Sequence, residues 1–319
     1  MRISNSLAKS YLRCQRQYDY KYHRLLTPKT HGLPLYRGNW LHELLEARYK
    51  TGDWQKRHKE LTQDFLTLFE EERELYGDQP TICGKIMESY DYRWNKDEEY
   101  WTILEVEKEY EIELPGSNHT FVFKIDLLME DEYGIWLVEH KSHKTIPDDT
   151  YRFIDIQTAR YIWALKELGI PIIGVMWNYL RTKEPTKPHM NKNGKVSRAK
   201  LDTDLFTYVS TLQENGIDLR EYKDVILALK KNNTFFRRVP MPKPDIIAET
   251  LIEELVTTAD QIERGDPPVR TIDRSCTYMC SFTDLCVTEL YGGDTSLMLK
   301  TKYRKATKKD YYANPEKEA

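Results

Sequence analysis

Between residues 103 and 114 the chain alternates with a period of two. Leu104, Val106, Tyr110, Ile112 and Leu114 fall on one side, and Glu105, Glu107, Glu109, Glu111 and Glu113 on the other; Lys108 is the one charge on the apolar side. That pattern predicts a half-exposed strand running into the turn PGSNH. Apolar segments at 119–130 and 135–141 follow, joined by DEYG at 131–134, where Gly134 suits a hairpin. A helix is predicted over 151–168, stopped by Gly169 with Pro171 just beyond, and a short apolar strand over 171–180. Upstream, Leu7, Tyr11, Cys14 and Tyr18 stand at helical spacing behind a Ser4 or Asn5 cap, predicting a helix over 4–22. Segments 37–50, 57–76 and 81–100 also read as helices, as do 201–230 and 244–264, with a short strand at 235–239 between the last two. Residues 183–199 are polar and rich in turn formers, hence a loop. The order strand–strand–strand–helix–strand describes an α/β core with a mixed sheet.

Composition narrows the function classes. The chain of 319 residues is 31% charged with a net charge of −3, so no global positive field holds nucleic acid, and such binding would need a local basic groove. No apolar run approaches the roughly 20 residues of a membrane span, and MRISNSLAKSY lacks a hydrophobic signal core. The expectation is a cytoplasmic protein. The five cysteines are odd in number and unevenly placed; in a reducing compartment spaced cysteines point to metal or catalysis.

Candidate chemistry lies in FVFKIDLLME (121–130) and IWLVEHKSH (135–143). Glu139 and Lys141, two apart on a strand, point the same way, and a hairpin would bring Asp126 beside them. Two carboxylates and an amine on one face suit metal-assisted phosphodiester hydrolysis. A divalent ion polarises the phosphate and lowers the pKa of an attacking water, and hard oxygen ligands suit magnesium or manganese. An E-x-K triplet is common by chance, and a surface hairpin with exposed charges is the bland alternative.

KID at 124–126 followed by VEHK at 138–141 resembles the core of the PD-(D/E)xK nucleases, specifically their RecB-like branch. The resemblance implies a restriction-endonuclease-like core with a mixed central sheet flanked by helices. It implies Asp126, Glu139 and the backbone carbonyl of His140 as metal ligands, and Lys141 as the group that positions the water or offsets transition-state charge. Gln157 and Tyr161, four apart in DIQTARYIWAL, match the glutamine and tyrosine that follow the lysine strand in that branch and would orient the lysine or the DNA backbone. His42 in GNWLHELLE matches its upstream histidine, implied as a further metal ligand; without the resemblance a half-buried helix histidine is the plainer account. The family usually has glycine three residues before the aspartate, where this chain has Phe123. Glu107 falls where relatives often carry a glutamate, but four other glutamates share its face, and a solvated face accounts for it equally well.

CTYMCSFTDLC places Cys276, Cys280 and Cys286 within eleven residues, and thiolates that close favour a soft metal centre needing a fourth ligand. Cys14, more than 260 residues upstream, completes a split set similar to the iron–sulfur nucleases of the RecB-like branch, such as AddB-type subunits and CRISPR-adaptation exonucleases. The resemblance implies a 4Fe–4S cluster on Cys14, Cys276, Cys280 and Cys286. The first two C-terminal cysteines are separated by three residues where the family usually has two. A structural zinc fits the same residues, and unligated thiols are the remaining alternative. Cys83 has no partner in this scheme and is expected in the core.

These expectations divide the chain into an N-terminal helical region (1–100), a nuclease core (101–240), a helical iron–sulfur region (241–298) and a basic tail (299–319). DNA, as single strands or duplex ends, is the expected partner, with a helicase or recombination protein as a further one. Arg37, Lys144, Arg237 and Arg238, with Lys183 and the C-terminal lysines, are the candidate phosphate contacts. The leading expectation is a metal-dependent DNA exonuclease in recombination, repair or phage DNA processing. The rivals are a non-catalytic DNA-binding or assembly subunit that keeps the fold and cluster, and a zinc-stabilised interaction protein.

Overall fold

The computed structural model describes residues 1–148, 152–153, 155–199, 201–242 and 246–307, with 246 and 247 described by backbone alone. Lys308 and Lys309 of the basic tail lie outside these residues. The chain opens with β1 (Arg2–Ile3) and α1 (Asn5–Arg13), capped by the Ser4 hydroxyl, which accepts from the Leu7 N–H at 3.2 Å. The helix expected over 4–22 does not run through. Cys14 is extended, with φ −164°, and separates α1 from α2 (Gln15–Tyr18) and a π-helical turn (Asp19–His23). Tertiary contact accounts for the break, since the Arg16 N–H beyond it donates to the Val269 carbonyl. After β2 (Leu26–Pro28), α3 (Leu33–Thr51) starts with Pro34 in its first turn and ends at Gly52, whose φ of 75° favours glycine.

Three further expected helices, over 57–76, 81–100 and 201–230, are also split. Residues 57–76 divide into α4 (Trp54–Leu66) and α5 (Glu70–Tyr76), and 81–100 into α6 (Gln79–Arg93) and α7 (Asp97–Tyr100). Asp53 and Asp78 cap α4 and α6. The later part of the chain holds α8 (Ile156–Glu167), α9 (Leu205–Glu214), a 3-10 turn (Leu219–Tyr222), α10 (Lys223–Lys231) and α11 (Ile246–Glu263). Short helices α12 (Cys276–Met279), α13 (Thr283–Leu290) and α14 (Ser296–Lys302) follow. Among the described residues no helix is long and apolar enough to cross a membrane.

The two strands expected at 103–114 and 119–130 each break in the middle and serve two sheets. The first becomes β3 (Thr102–Val106) and β4 (Glu109–Glu113), the second β5 (Thr120–Lys124) and β6 (Leu127–Asp131). With β7 (Gly134–His143), β8 (Ile172–Arg181) and β9 (Phe236–Met241), they give a five-stranded sheet of order β3-β6-β7-β8-β9, while β4 and β5 join β1 in a second sheet of order β1-β5-β4. β7 and β8 are parallel and the other pairs in the large sheet antiparallel, so it is mixed, as the element order predicted. The two breaks face each other: the Glu107 N–H donates to the Asp126 carbonyl at 2.9 Å, and the Ile125 N–H to the Lys108 carbonyl at 3.1 Å.

Both faces of the large sheet are covered. Leu128, Leu137, Val175 and Trp177 pack with Tyr161 and Leu165 of α8 and Ile252 and Leu255 of α11. Leu127, Met129, Trp136 and Val138 pack with Leu41, Leu44 and Leu45 of α3 and with Met87 and Tyr90 of α6. Burial on both faces explains why β6 and β7 read as near-continuous apolar runs. β10 (Tyr303–Lys305) pairs antiparallel with β2, and Tyr20 and Leu26 pack with Phe282, Leu285 and Tyr303.

Arg238, expected as a DNA contact, sits inside this framework. Its guanidinium lies 3.8 and 3.9 Å from the ring centroids of Trp94 and Trp101, pairs with both Asp97 oxygens at 2.6 and 2.7 Å, and donates to the Tyr49 and Tyr90 hydroxyls. Its side chain and that of Asp97 are 9% and 8% exposed, so no phosphate reaches it. Removing one partner of such a buried pair leaves the other charge uncompensated. Arg238→Ala is therefore expected to lower unfolding stability by about 3 kcal/mol in urea titrations; a loss below about 1 kcal/mol would show that the pair does not brace β9 against α6 and α7.

Candidate active site

The facing strand breaks build the site. Asp126 occupies the gap between β5 and β6, where its backbone leaves one sheet for the other. Its Oδ2 accepts from the His140 N–H on β7 at 2.7 Å, and its Oδ1 lies 3.7 Å from His42 Nδ1 on α3. Glu107, in the opposing break, has φ 50°, a left-handed conformation that is uncommon for a residue with a side chain. That turn takes it out of the glutamate row of its strand: its side chain is mostly buried and its Oε2 pairs with Lys124 Nζ at 2.5 Å. Among the described residues, His42, Glu107 and Asp126 form the one group of three His, Cys, Asp or Glu residues whose ligand atoms lie within 4.8 Å of one another. A solvated face thus fails as an account of Glu107. A positive φ is not legible in EVEKEY, which carries neither glycine nor asparagine.

Glu139 and Lys141 project from β7 toward α8. Glu139 Oε1 accepts from Lys141 Nζ at 2.6 Å and from Gln157 Nε2 at 3.0 Å, while its buried Oε2 has no hydrogen-bond partner. A buried carboxylate oxygen without a donor is a costly arrangement that a cation beside it would complete. His140, between them, turns its ring to the opposite face, where Nδ1 meets Asn178 Nδ2 at 2.8 Å and the ring stacks on Tyr49. Tyr161 is buried, and its ring packs on Phe123, centroids 5.0 Å apart. Phe123 faces the same core, stacked on Tyr110 and Phe121 and free of positive φ, so its presence in place of glycine leaves the site backbone undisturbed.

The electrostatics follow from crowding. Burial, together with Glu139 and Glu107, holds the Asp126 carboxyl well above the usual carboxylate range, opposed by Lys141 and the His140 N–H. Burial also raises Glu107, with Lys124 opposing. For Lys141 burial acts downward, but Glu139 and Asp126 outweigh it and its ammonium is stabilised. His42 is pushed down to about 4 by burial and by Lys141 and Lys124, so its ring is neutral and carries a lone pair at neutral pH.

The other expected contacts are dispersed. Arg37 donates to Gln79 and to the Thr182 carbonyl, Arg237 donates to the Pro147 carbonyl beneath the Tyr179 ring, and Lys144 is exposed past the end of β7. The four expected cluster cysteines come together: Cys14, Cys276, Cys280 and Cys286 line one pocket with Tyr20, Ile272 and Leu290. No three of these thiols lie within 4.8 Å of one another, whereas a single zinc at ~2.3 Å from each sulfur would hold them ~3.8 Å apart. Cys83 is buried in the core, as expected.

A family model described as the PD-(D/E)XK nuclease superfamily matches residues 2–287. No curated protein matches the chain. Among solved structures, one titled "Crystal structure of SSO0001" aligns with 89% of this chain and 85% of its own, at 11% identity and a TM-score of 0.33.

A carboxyl whose pKa is higher in the folded chain than in the unfolded one favours folding at low pH, and that contribution is lost as pH rises through the folded value. Asp126 therefore opposes folding of the metal-free protein at neutral pH. In chelator, Asp126→Asn is expected to melt a few degrees above wild type at neutral pH, with the gap closing on acidification. Added manganese should raise the wild-type melting temperature and move the variant much less. A variant that melts below wild type in chelator, or gains as much from manganese, contradicts the strained acid site.

Proposed function

The chain belongs to the PD-(D/E)XK nuclease superfamily, and we propose that it is an exonuclease acting on single-stranded or end-bearing DNA in recombination, repair or phage DNA processing. Membership makes it a divalent-metal-dependent nuclease; the exonuclease mode and its setting rest on the resemblance to iron–sulfur nucleases of the RecB-like branch. The observation that carries the catalytic assignment is the unpartnered Oε2 of Glu139, held beside Lys141 and Gln157 on the strand next to Asp126.

Asp126 and Glu139, with the neutral ring of His42, are the groups that would hold Mg2+ or Mn2+, and Glu107 adds a carboxylate on the His42 side. The bound ion would polarise the scissile phosphate and make water a stronger nucleophile. Gln157 fixes Oε1 of Glu139 and so leaves Oε2 for the metal. Lys141, whose Nζ donates to Glu139 Oε1 at 2.6 Å, would position the water or offset charge on the pentavalent phosphate. Tyr161 serves by packing, holding α8 and hence Gln157 against the strands.

Cys14, Cys276, Cys280 and Cys286 are the residues that would hold a 4Fe–4S cluster. Their convergence in an apolar pocket supports this. Such a centre would tie the end of α1 to α12 and α13.

Lys141→Ala is expected to abolish cleavage of labelled DNA in magnesium or manganese while DNA affinity stays within a few-fold of wild type; surviving activity would remove the lysine from the mechanism. Protein purified without oxygen is expected to be brown, and Cys280→Ser to bleach it. Colourless protein with stoichiometric zinc would overturn the cluster.

A further inference from the structure

A groove of about 650 Å3 runs between α1 and α8, and Gln157, one of the residues lining it, also donates to Glu139. Two helix N-termini meet there: the first turn of α1 supplies Asn5 and Ser6, and that of α8 supplies Ile156 and Gln157. Backbone N–H groups at such ends favour anions. Asn5 adds an independent sign of a missing partner. It is 9% exposed, its Oδ1 accepts from Arg160 at 3.0 Å, and its buried Nδ2 donates to nothing. Arg160 is likewise buried, bonded to Asn5 and the Leu251 carbonyl, with no carboxylate within ion-pair distance among the described residues.

Lys9 and Arg13 continue this lining one and two turns along α1. Lys9 is exposed, and Arg13 reaches Ser275 Oγ at 3.5 Å, next to Cys276. Two carboxylates also border the groove. Asp155 is engaged in capping α8, accepting from the Thr158 N–H and hydroxyl, and Glu254 is exposed on α11. Three cations thus face one uncommitted acid. A comparably large groove between α3 and α4 is unlike it: Arg57 and Lys50 there already pair with Glu43, Glu60 and Glu46.

We propose that the α1–α8 groove seats the sugar–phosphate backbone of the DNA strand adjoining the scissile phosphate, with Lys9 and Arg13 contacting phosphates. This rests on the nuclease reading for the identity of the polymer. It extends the substrate path from the carboxylates along α1 toward the cysteine pocket, because α1 begins at the groove mouth and ends against Cys14. None of the cations expected from sequence lies in this lining; Lys9 and Arg13 stand in a segment whose sequence reads only as an amphipathic helix.

Binding measured without cleavage tests it. Fluorescence anisotropy of a labelled oligothymidylate in chelator, across a salt series, is compared for wild type, Lys9→Ala/Arg13→Ala and the control Lys230→Ala/Lys231→Ala on α10. The groove variant is expected to bind roughly tenfold more weakly, with a log–log salt slope shallower by about 1.4, the value for two phosphate contacts on a single strand. The control should stay within about twofold of wild type. Lys9→Ala alone, at an exposed helix position, should give about half the change in slope without touching the fold. Wild-type affinity and slope in the groove variant, an equal loss in the control, or no binding by wild type would each overturn the proposal. Wild-type protein that binds but never cuts would instead count against the nuclease reading and leave the groove standing on its binding data.

Discussion

Everything in the site depends on one pair of backbone hydrogen bonds, Glu107 N–H to the Asp126 carbonyl and Ile125 N–H to the Lys108 carbonyl. They hold two long strands together at the point where both leave one sheet and enter another. A continuous hairpin would satisfy its backbone groups more simply, but it would leave Asp126 and Glu107 following the regular alternation of their strands. The corner frees both side chains to point into the angle between the sheets, where α3 brings His42 and β7 brings Glu139 and Lys141. Glu107 bears the strain of the turn in its positive φ, and such strain persists only where surrounding structure over-determines it. Here Lys124 on the neighbouring strand and the packed α3 supply that support.

The same crowding sets the chemistry. Asp126 and Glu107 are held above the usual carboxylate range in this buried corner, and two lysines only partly offset the effect. The arrangement is poor for the stability of the metal-free chain and suited to a divalent ion, which would supply the missing positive charge and the missing partner of Glu139 Oε2. Activity-bearing sites commonly trade stability in this way. Farther from the carboxylates the framework is rigid: Arg238 and Asp97 bridge β9 to α7, and Asn178 links Tyr90 to His140 behind the catalytic strand.

Much of this was legible in the sequence because it follows from periodicity and local chemistry. The apolar runs of β6 to β8, the helix after the lysine strand and the Asp126, Glu139 and Lys141 group all follow from side chains alternating on strands and from residues four apart sharing a helix face. What escaped were features set by distant contacts. Glu107, where relatives often carry a glutamate, could not be told from a solvated glutamate row, since nothing in its neighbours announces a left-handed residue. The break at Cys14 comes from contact with the segment around Val269, hundreds of residues away. Arg238 looked like a surface cation because its partners, Asp97, Trp94 and Trp101, are brought to it only by the fold. Lys9 and Arg13 gain meaning only when α8 is laid against α1.

The central claim is that Asp126 and Glu139 share a divalent ion across the sheet corner. Anomalous diffraction from crystals grown with manganese measures this directly. The account predicts a manganese peak about 2.2 Å from Asp126 and from Oε2 of Glu139, with His42 within reach of the same site and Lys141 beside it. A peak confined to other surface carboxylates, or a bound ion that leaves Glu139 Oε2 without a ligand contact, would contradict it.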